Sequence, residues 1–167
     1  MQPKRFHLKW FLLFLLSALS VSSSSQQNTP DVIQGKVVSI TDGDTLTILM
    51  DKIQYKIRLA EIDTPERGQP YGSKAKQVLS ELTYGKVITA EVEIIDRYGR
   101  YVARLYEDEF DINAELVKRG AAWVYRDYSY DDSFYEYENT AKEKQLGIWG
   151  LPESQRVPPW EWRRGSR

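Results

Sequence analysis

Residues 45–59 read Thr-Leu-Thr-Ile-Leu-Met-Asp-Lys-Ile-Gln-Tyr-Lys-Ile-Arg-Leu, and their alternation decides the fold class. Leu46, Ile48 and Met50 alternate with polar or smaller residues, and Ile53, Tyr55, Ile57 and Leu59 alternate with Gln54, Lys56 and Arg58. A period of two sends successive side chains to opposite faces, so each run is a half-buried strand. Asp51-Lys52 between them fits only a short hairpin turn. Upstream, Val32 to Ile40 supplies an earlier strand. Downstream, Ile88, Ala90, Val92 and Ile94 alternate with Thr89, Glu91 and Glu93 within a strand from Val87 to Ile95. Arg97-Tyr98-Gly99 turns the chain into a further strand, Tyr101 to Tyr106.

Helices punctuate these strands. Ala75, Val78, Leu79 and Leu82 recur at helical spacing, with Gly85 placed to end the helix. Asp111 is placed to cap a short helix through Ile112, Leu116 and Val117, closed by Gly120. Another starts at Asp132 or Ser133, runs through Ala141 and ends at Gly147. The pattern predicts an α+β chain, mostly β: a five-stranded OB-type barrel with three helices.

The totals bound the chemistry. With 167 residues, 41% hydrophobic and 28% charged, the chain is one soluble domain with attachments. It has no cysteine, which excludes zinc–cysteine sites, thiol catalysis and disulfides. Its single histidine, His7, lies in an N-terminal extension. A histidine base, a Ser-His-Asp triad and a His-ligated metal are therefore excluded from the domain. Acid–base and metal chemistry must rest on carboxylates. Removing residues 1–22 takes away Lys4, Arg5 and Lys9 and no acid, lowering the net charge from −1 to −4. Such a balance argues against tight stoichiometric nucleic-acid binding. It leaves room for an enzyme with a metal and a few well-placed arginines.

Both ends differ from the middle. Residues 1–25 join a basic start, an apolar run from Trp10 to Leu16 and a serine-rich stretch. They read as a secretory signal peptide, with an uncleaved N-terminal membrane anchor as the other reading. Either way the chain is expected to be exported. Residues 26–31 are a polar linker, and 32–150 form the domain. Residues 151–167 are a tail rich in proline, tryptophan and arginine, which the prolines predict to be non-helical. Its aromatic and basic side chains either contact nucleic acid or pack on the domain.

Three stretches hold the unusual residues. They are Thr41-Asp42-Gly43-Asp44-Thr45, Arg58-Leu59-Ala60-Glu61-Ile62-Asp63-Thr64-Pro65-Glu66, and Asp96-Arg97-Tyr98-Gly99-Arg100. Singly, each is a commonplace turn or solvated loop. Together, and with Tyr71-Gly72, Ala114 to Gly120 and Gly147-Ile148-Trp149, the chain resembles the staphylococcal nuclease family over about residues 32–150.

That resemblance implies the five-stranded barrel and a calcium-dependent endonuclease acting on DNA and RNA. It implies that Asp44, Asp63 and the Thr64 carbonyl bind calcium, a hard-oxygen set suited to that ion. Glu66 is then the general base or the residue that positions the attacking water. Arg58 and Arg100 hold the phosphate through forked hydrogen bonds. Attack with loss of the 5′-oxygen gives a 3′-phosphate and a 5′-hydroxyl. Tyr98 matches a tyrosine beside the substrate phosphate, and its ring has a packing role as the other reading. Asp42 reads as support to the metal or as a turn former, and Glu61 flanks the same loop. After Trp123 the pattern departs: the simplest register puts Arg126 where the family has a base-stacking tyrosine, leaving Tyr125 and Tyr128 as candidates. No protein partner is indicated and a monomer is expected. The competing reading is an inactive OB module that binds nucleic acid or protein, against which stands the presence of Asp44, Arg58, Asp63, Glu66 and Arg100.

Overall fold

The computed structural model describes residues 30–165. The expected signal or anchor segment, most of the linker, and Ser166 and Arg167 lie outside the described residues. Strands β1 (Val32–Ile40), β2 (Thr45–Met50) and β3 (Ile53–Leu59) form an antiparallel meander. Asp51 and Lys52 turn β2 into β3 with φ of 50° and 67°, the paired left-handed residues of a tight hairpin. After the two-residue strand β4 (Ile62–Asp63) comes helix α1 (Gly72–Thr83), then β5 (Val87–Ile95) and β6 (Tyr101–Glu107). β5 pairs with both β1 and β6, and β6 closes on β3 in parallel, with Arg58 opposite Val102. The result is a closed five-strand barrel of the OB type.

β7 (Phe110–Asp111) extends the sheet and leads into α2 (Ile112–Lys118). Asp111 caps α2 by accepting from the Ala114 N–H at 2.9 Å. β8 (Trp123–Val124) pairs with β4, α3 (Ser133–Glu143) packs beside α2, and α4 (Pro159–Gly165) ends the described chain. The expectation of three helices is thus exceeded among the described residues, and the expectation of a non-helical tail is corrected. Proline is unfavourable inside a helix but suited to its first position, where no N–H partner is needed, and Pro159 sits there.

Inward residues of the alternating strands make the core: Ile33, Val37, Leu46, Ile48, Ile57, Leu59, Ile88, Ala90, Ala103 and Leu105. Leu79 from α1, Leu116 from α2 and Phe134 from α3 close its ends. The alternation of β5 fails at Ile94, which is 58% exposed although it continues the inward series. A register shift between Val92 and Ile94 is the cause, because one extra residue reverses the faces beyond it.

Asn113 is among the polar groups buried with this core. It is fully buried, accepts from the Leu105 N–H at 3.1 Å, and donates to the carbonyls of Ala60 (3.0 Å) and Ala103 (3.4 Å). It ties α2 to β6 and to the end of β3. Asn113→Ala is expected to lower unfolding free energy by about 3 kcal/mol, since backbone groups are left without partners in a dry interior. Denaturant unfolding measures this, and a loss below about 1 kcal/mol would show that these groups find other partners.

Candidate active site

The Thr41–Thr45 turn and the loop after β3 meet on the outside of the barrel. Gly43 makes the approach possible: a Cβ there would lie 2.6 Å from the Thr64 hydroxyl oxygen and 2.9 Å from the Ala75 Cβ. With that gap closed, Asp44 Oδ2 accepts from both the Thr64 N–H (2.9 Å) and the Thr64 hydroxyl (2.8 Å). Asp63 is aligned by strand pairing, opposite Trp123 in the β4–β8 ladder. Asp44, Asp63 and Thr64 are all buried.

Arg58 binds the two aspartates together. Its Nη2 lies 3.0 Å from Asp63 Oδ1 and 3.3 Å from Asp44 Oδ2, while Nη1 donates to the carbonyls of Leu59 (2.7 Å) and Ile62 (3.0 Å). Four contacts fix one planar fork. Burial pushes the Asp63 carboxyl above its ordinary value, against the lowering effect of Arg163 and Arg58. Burial, then the charge of Asp44, pushes Asp42 up to about 6. Asp42 also accepts from the Asp44 N–H at 3.2 Å, so it forms the turn and adds to the local crowding of negative charge.

Glu66 stands half-buried at the rim. Gln69 fixes its backbone from both sides, its Oε1 accepting from the Glu66 N–H at 3.0 Å and its N–H donating to the Glu66 carbonyl at 2.9 Å. Gly72 allows this tight return, because a Cβ at that position would collide with the Glu66 carbonyl oxygen. Arg100 is not drawn into the carboxylate cluster; its Nε donates to Asp96 Oδ2 at 2.7 Å. It directly precedes β6, two residues before Val102, which lies opposite Arg58. Tyr98 is 68% exposed at the tip of that turn, with Arg97 4.8 Å and Arg100 5.5 Å from its ring centre.

Among the aromatic candidates, Tyr125 is near Asp63. Burial and then the Asp63 charge raise its phenol pKa. Tyr128 tilts against it at 4.8 Å and is 55% exposed. Arg126 pairs with Glu138 (3.4 Å) and lies over the Tyr135 ring.

Glu138, Gln69 and Arg163 escaped the sequence reading. Glu138, 1% exposed, accepts from the Val124 N–H at 3.0 Å and so anchors β8 beneath Asp63 and Tyr125. Glu61 turns its carboxylate away from the site, accepting from the N–H groups of Tyr130 (2.9 Å) and Asp131 (3.1 Å) and pairing with Arg104. It organises a loop and is not part of the cluster. Gln69 and Arg163 carried no signal beyond composition: a glutamine in a loop and an arginine in a basic tail.

No group of three or more His, Cys, Asp or Glu side chains capable of holding a metal is found among the described residues. Two buried carboxylates converge on one guanidinium, with Asp42 crowding them and a threonine carbonyl adjoining. All of these donors are oxygens, and the negative charge is offset by arginine. This set fits an oxygen-preferring divalent cation that keeps several waters, not zinc.

The fold and site define an OB-type barrel bearing an acidic and arginine-rich centre on its outer face. The model of the staphylococcal nuclease homologue family matches residues 56–150. A micrococcal nuclease of Shigella flexneri is 40% identical over 145 residues, spanning 80% of this chain and 82% of that protein. An uncharacterized endonuclease of Haemophilus influenzae is 40% identical over 157 residues, 93% of this chain and 84% of the relative. Protein ParB of Escherichia coli is 34% identical over 145 residues, 80% of this chain and 81% of the relative. The chain belongs to the family of staphylococcal nuclease homologues.

Proposed function

We propose that this protein is a calcium-dependent endonuclease that hydrolyses phosphodiester bonds of DNA and RNA, leaving 3′-phosphate and 5′-hydroxyl ends. The convergence of Asp44 and Asp63 on Arg58, with Glu66 at the rim of the same loop, carries the reading. It is supported by relatives described as a micrococcal nuclease and an endonuclease. Asp44, Asp63 and the Thr64 carbonyl would hold calcium, which when bound polarises phosphorus and offsets charge on the phosphate.

The remaining work falls to the chain's own groups. Glu66 accepts a proton from the attacking water. Arg58 and Arg100 donate to the non-bridging phosphate oxygens, and these fixed donors gain strength as charge accumulates there. Tyr98 contacts the phosphate from the turn, and Tyr125 and Tyr128 offer ring faces to a base. An N-terminal signal segment would deliver the enzyme outside the cytoplasm.

Purified protein incubated with single-stranded DNA, duplex DNA and RNA, in millimolar calcium or in chelator, tests the whole reading. Calcium-dependent cleavage with 3′-phosphate ends is expected. Folded protein that binds nucleic acid without cutting it would instead make the chain a binding module. Within the active enzyme, Arg58→Lys is expected to lower kcat/KM about a hundredfold, since a single ammonium cannot reproduce the fork. Near-normal kinetics in that variant would rule out forked contact with the phosphate.

A further inference from the structure

The segment after Gly150 returns across the site, and it lies wholly beyond the 56–150 span that the family model matches. It is pinned at three points. The Gln69 side-chain amide donates to the Val157 carbonyl at 2.5 Å. Pro159 is buried. Trp160 stacks on Tyr125, with ring centres 5.7 Å apart and planes 7° from parallel, and meets Trp123 edge-on at 5.9 Å.

These anchors aim Arg163 into the carboxylates. Its Nη2 lies 2.7 Å from Asp63 Oδ2, and its Nη1 lies 3.3 Å from Asp63 Oδ1 and 2.5 Å from Glu66 Oε1. Both oxygens of Asp63 are thereby engaged, as is the side chain assigned to water activation. The same helix covers one face of Tyr125. One short segment thus blocks a proposed metal ligand, the proposed base and a proposed stacking surface.

We infer that residues 151–165 are an autoinhibitory strap whose Arg163 guanidinium competes with the divalent cation for Asp63 and Glu66, so that metal binding releases α4 from the site. The inference rests on the function proposed above. Its physical basis is competition: Arg163 takes one lone-pair site on each Asp63 oxygen, Arg58 takes a second on Oδ1, and the guanidinium charge repels an approaching cation. Arg163 is 42% exposed against 2% for Asp63, so the contact is reachable from water and reversible. A cation that binds only the open form pays for opening, and its apparent affinity falls by the fraction of molecules already open. Once α4 has left, Tyr125 is uncovered for a base, which couples metal loading to substrate access.

Calorimetric calcium titration of the full chain, without substrate, tests this directly. Arg163→Gln is expected to bind calcium about tenfold more tightly than the wild type. Arg164→Gln removes the same charge from the same helix and is expected to change affinity less than about twofold, as for an exposed charge. Arg163→Lys restores one cationic contact and falls between. In the wild type, calcium should accelerate amide hydrogen exchange at 160–165, and chelator should reverse it. Unchanged or weaker calcium binding by Arg163→Gln, or equal tightening by Arg164→Gln, would overturn the strap. Absence of calcium binding in every chain, the wild type included, would instead remove the proposed function and the strap together.

Discussion

Glu66→Gln is expected to cut kcat about 10³-fold, within the usual worth of a positioned general base, while KM changes little. The substitution removes the proposed proton acceptor and keeps the shape. The contacts that hold this position in place are largely backbone contacts, from Gln69 to the Glu66 N–H and carbonyl. A glutamine Oε1 still accepts from Arg163 as Glu66 Oε1 does. Melting temperature should therefore stay within about 3 °C of the wild type. Single-turnover rates at saturating calcium, set beside thermal unfolding, separate the outcomes. Full turnover would remove Glu66 from the mechanism, and lost turnover with a much lower melting temperature would make it a scaffold residue.

The fold was legible where physics is local. Alternation over 45–59, the short hairpin turn at Asp51-Lys52, and the cap at Asp111 all appear as expected. What stayed hidden depends on distant partners. The bulge in β5 leaves no mark on composition, since Ile94 continues the apolar series and yet faces solvent. The two-residue strands β4 and β8 are too short to carry a period, although their pairing aligns Asp63. Helix α4 was obscured because proline signals both a break and a beginning, and only the chain around it decides which.

The same distinction applies to the site. Asp44, Arg58, Asp63, Thr64 and Glu66 fall within 23 residues, inside two of the stretches that carry the family resemblance, and it is that resemblance that groups them. Arg163 is 100 residues from Asp63 in sequence, and nothing local predicts their ion pair. Glu61 shows the converse: adjacent in sequence to the cluster and with a φ of 63°, it gives its carboxylate to the N–H groups of Tyr130 and Asp131.

Asp44→Asn supplies the second large effect, a fall in calcium affinity of at least about a hundredfold, because site affinity is tuned by the number of charged ligands. Asparagine is the informative replacement. Its amide oxygen can keep accepting from the Thr64 N–H and hydroxyl, which tie the turn to the loop through Asp44 Oδ2. Alanine would delete both bonds at a position only 6% exposed, mixing a structural loss with the electrostatic one. With asparagine, Arg58 keeps its 3.0 Å partner Asp63 and its two carbonyl contacts, so the fork stays in place. What disappears is one of the two buried charges proposed to hold the ion. Calcium titration should then show weak or no binding by a chain with native circular dichroism and near-native unfolding. Cleavage at low calcium should vanish and return in part as calcium is raised, the behaviour of a ligand lost and not of a fold lost. Wild-type affinity in Asp44→Asn would remove Asp44 from the metal site and leave it as the hinge between the turn and the loop.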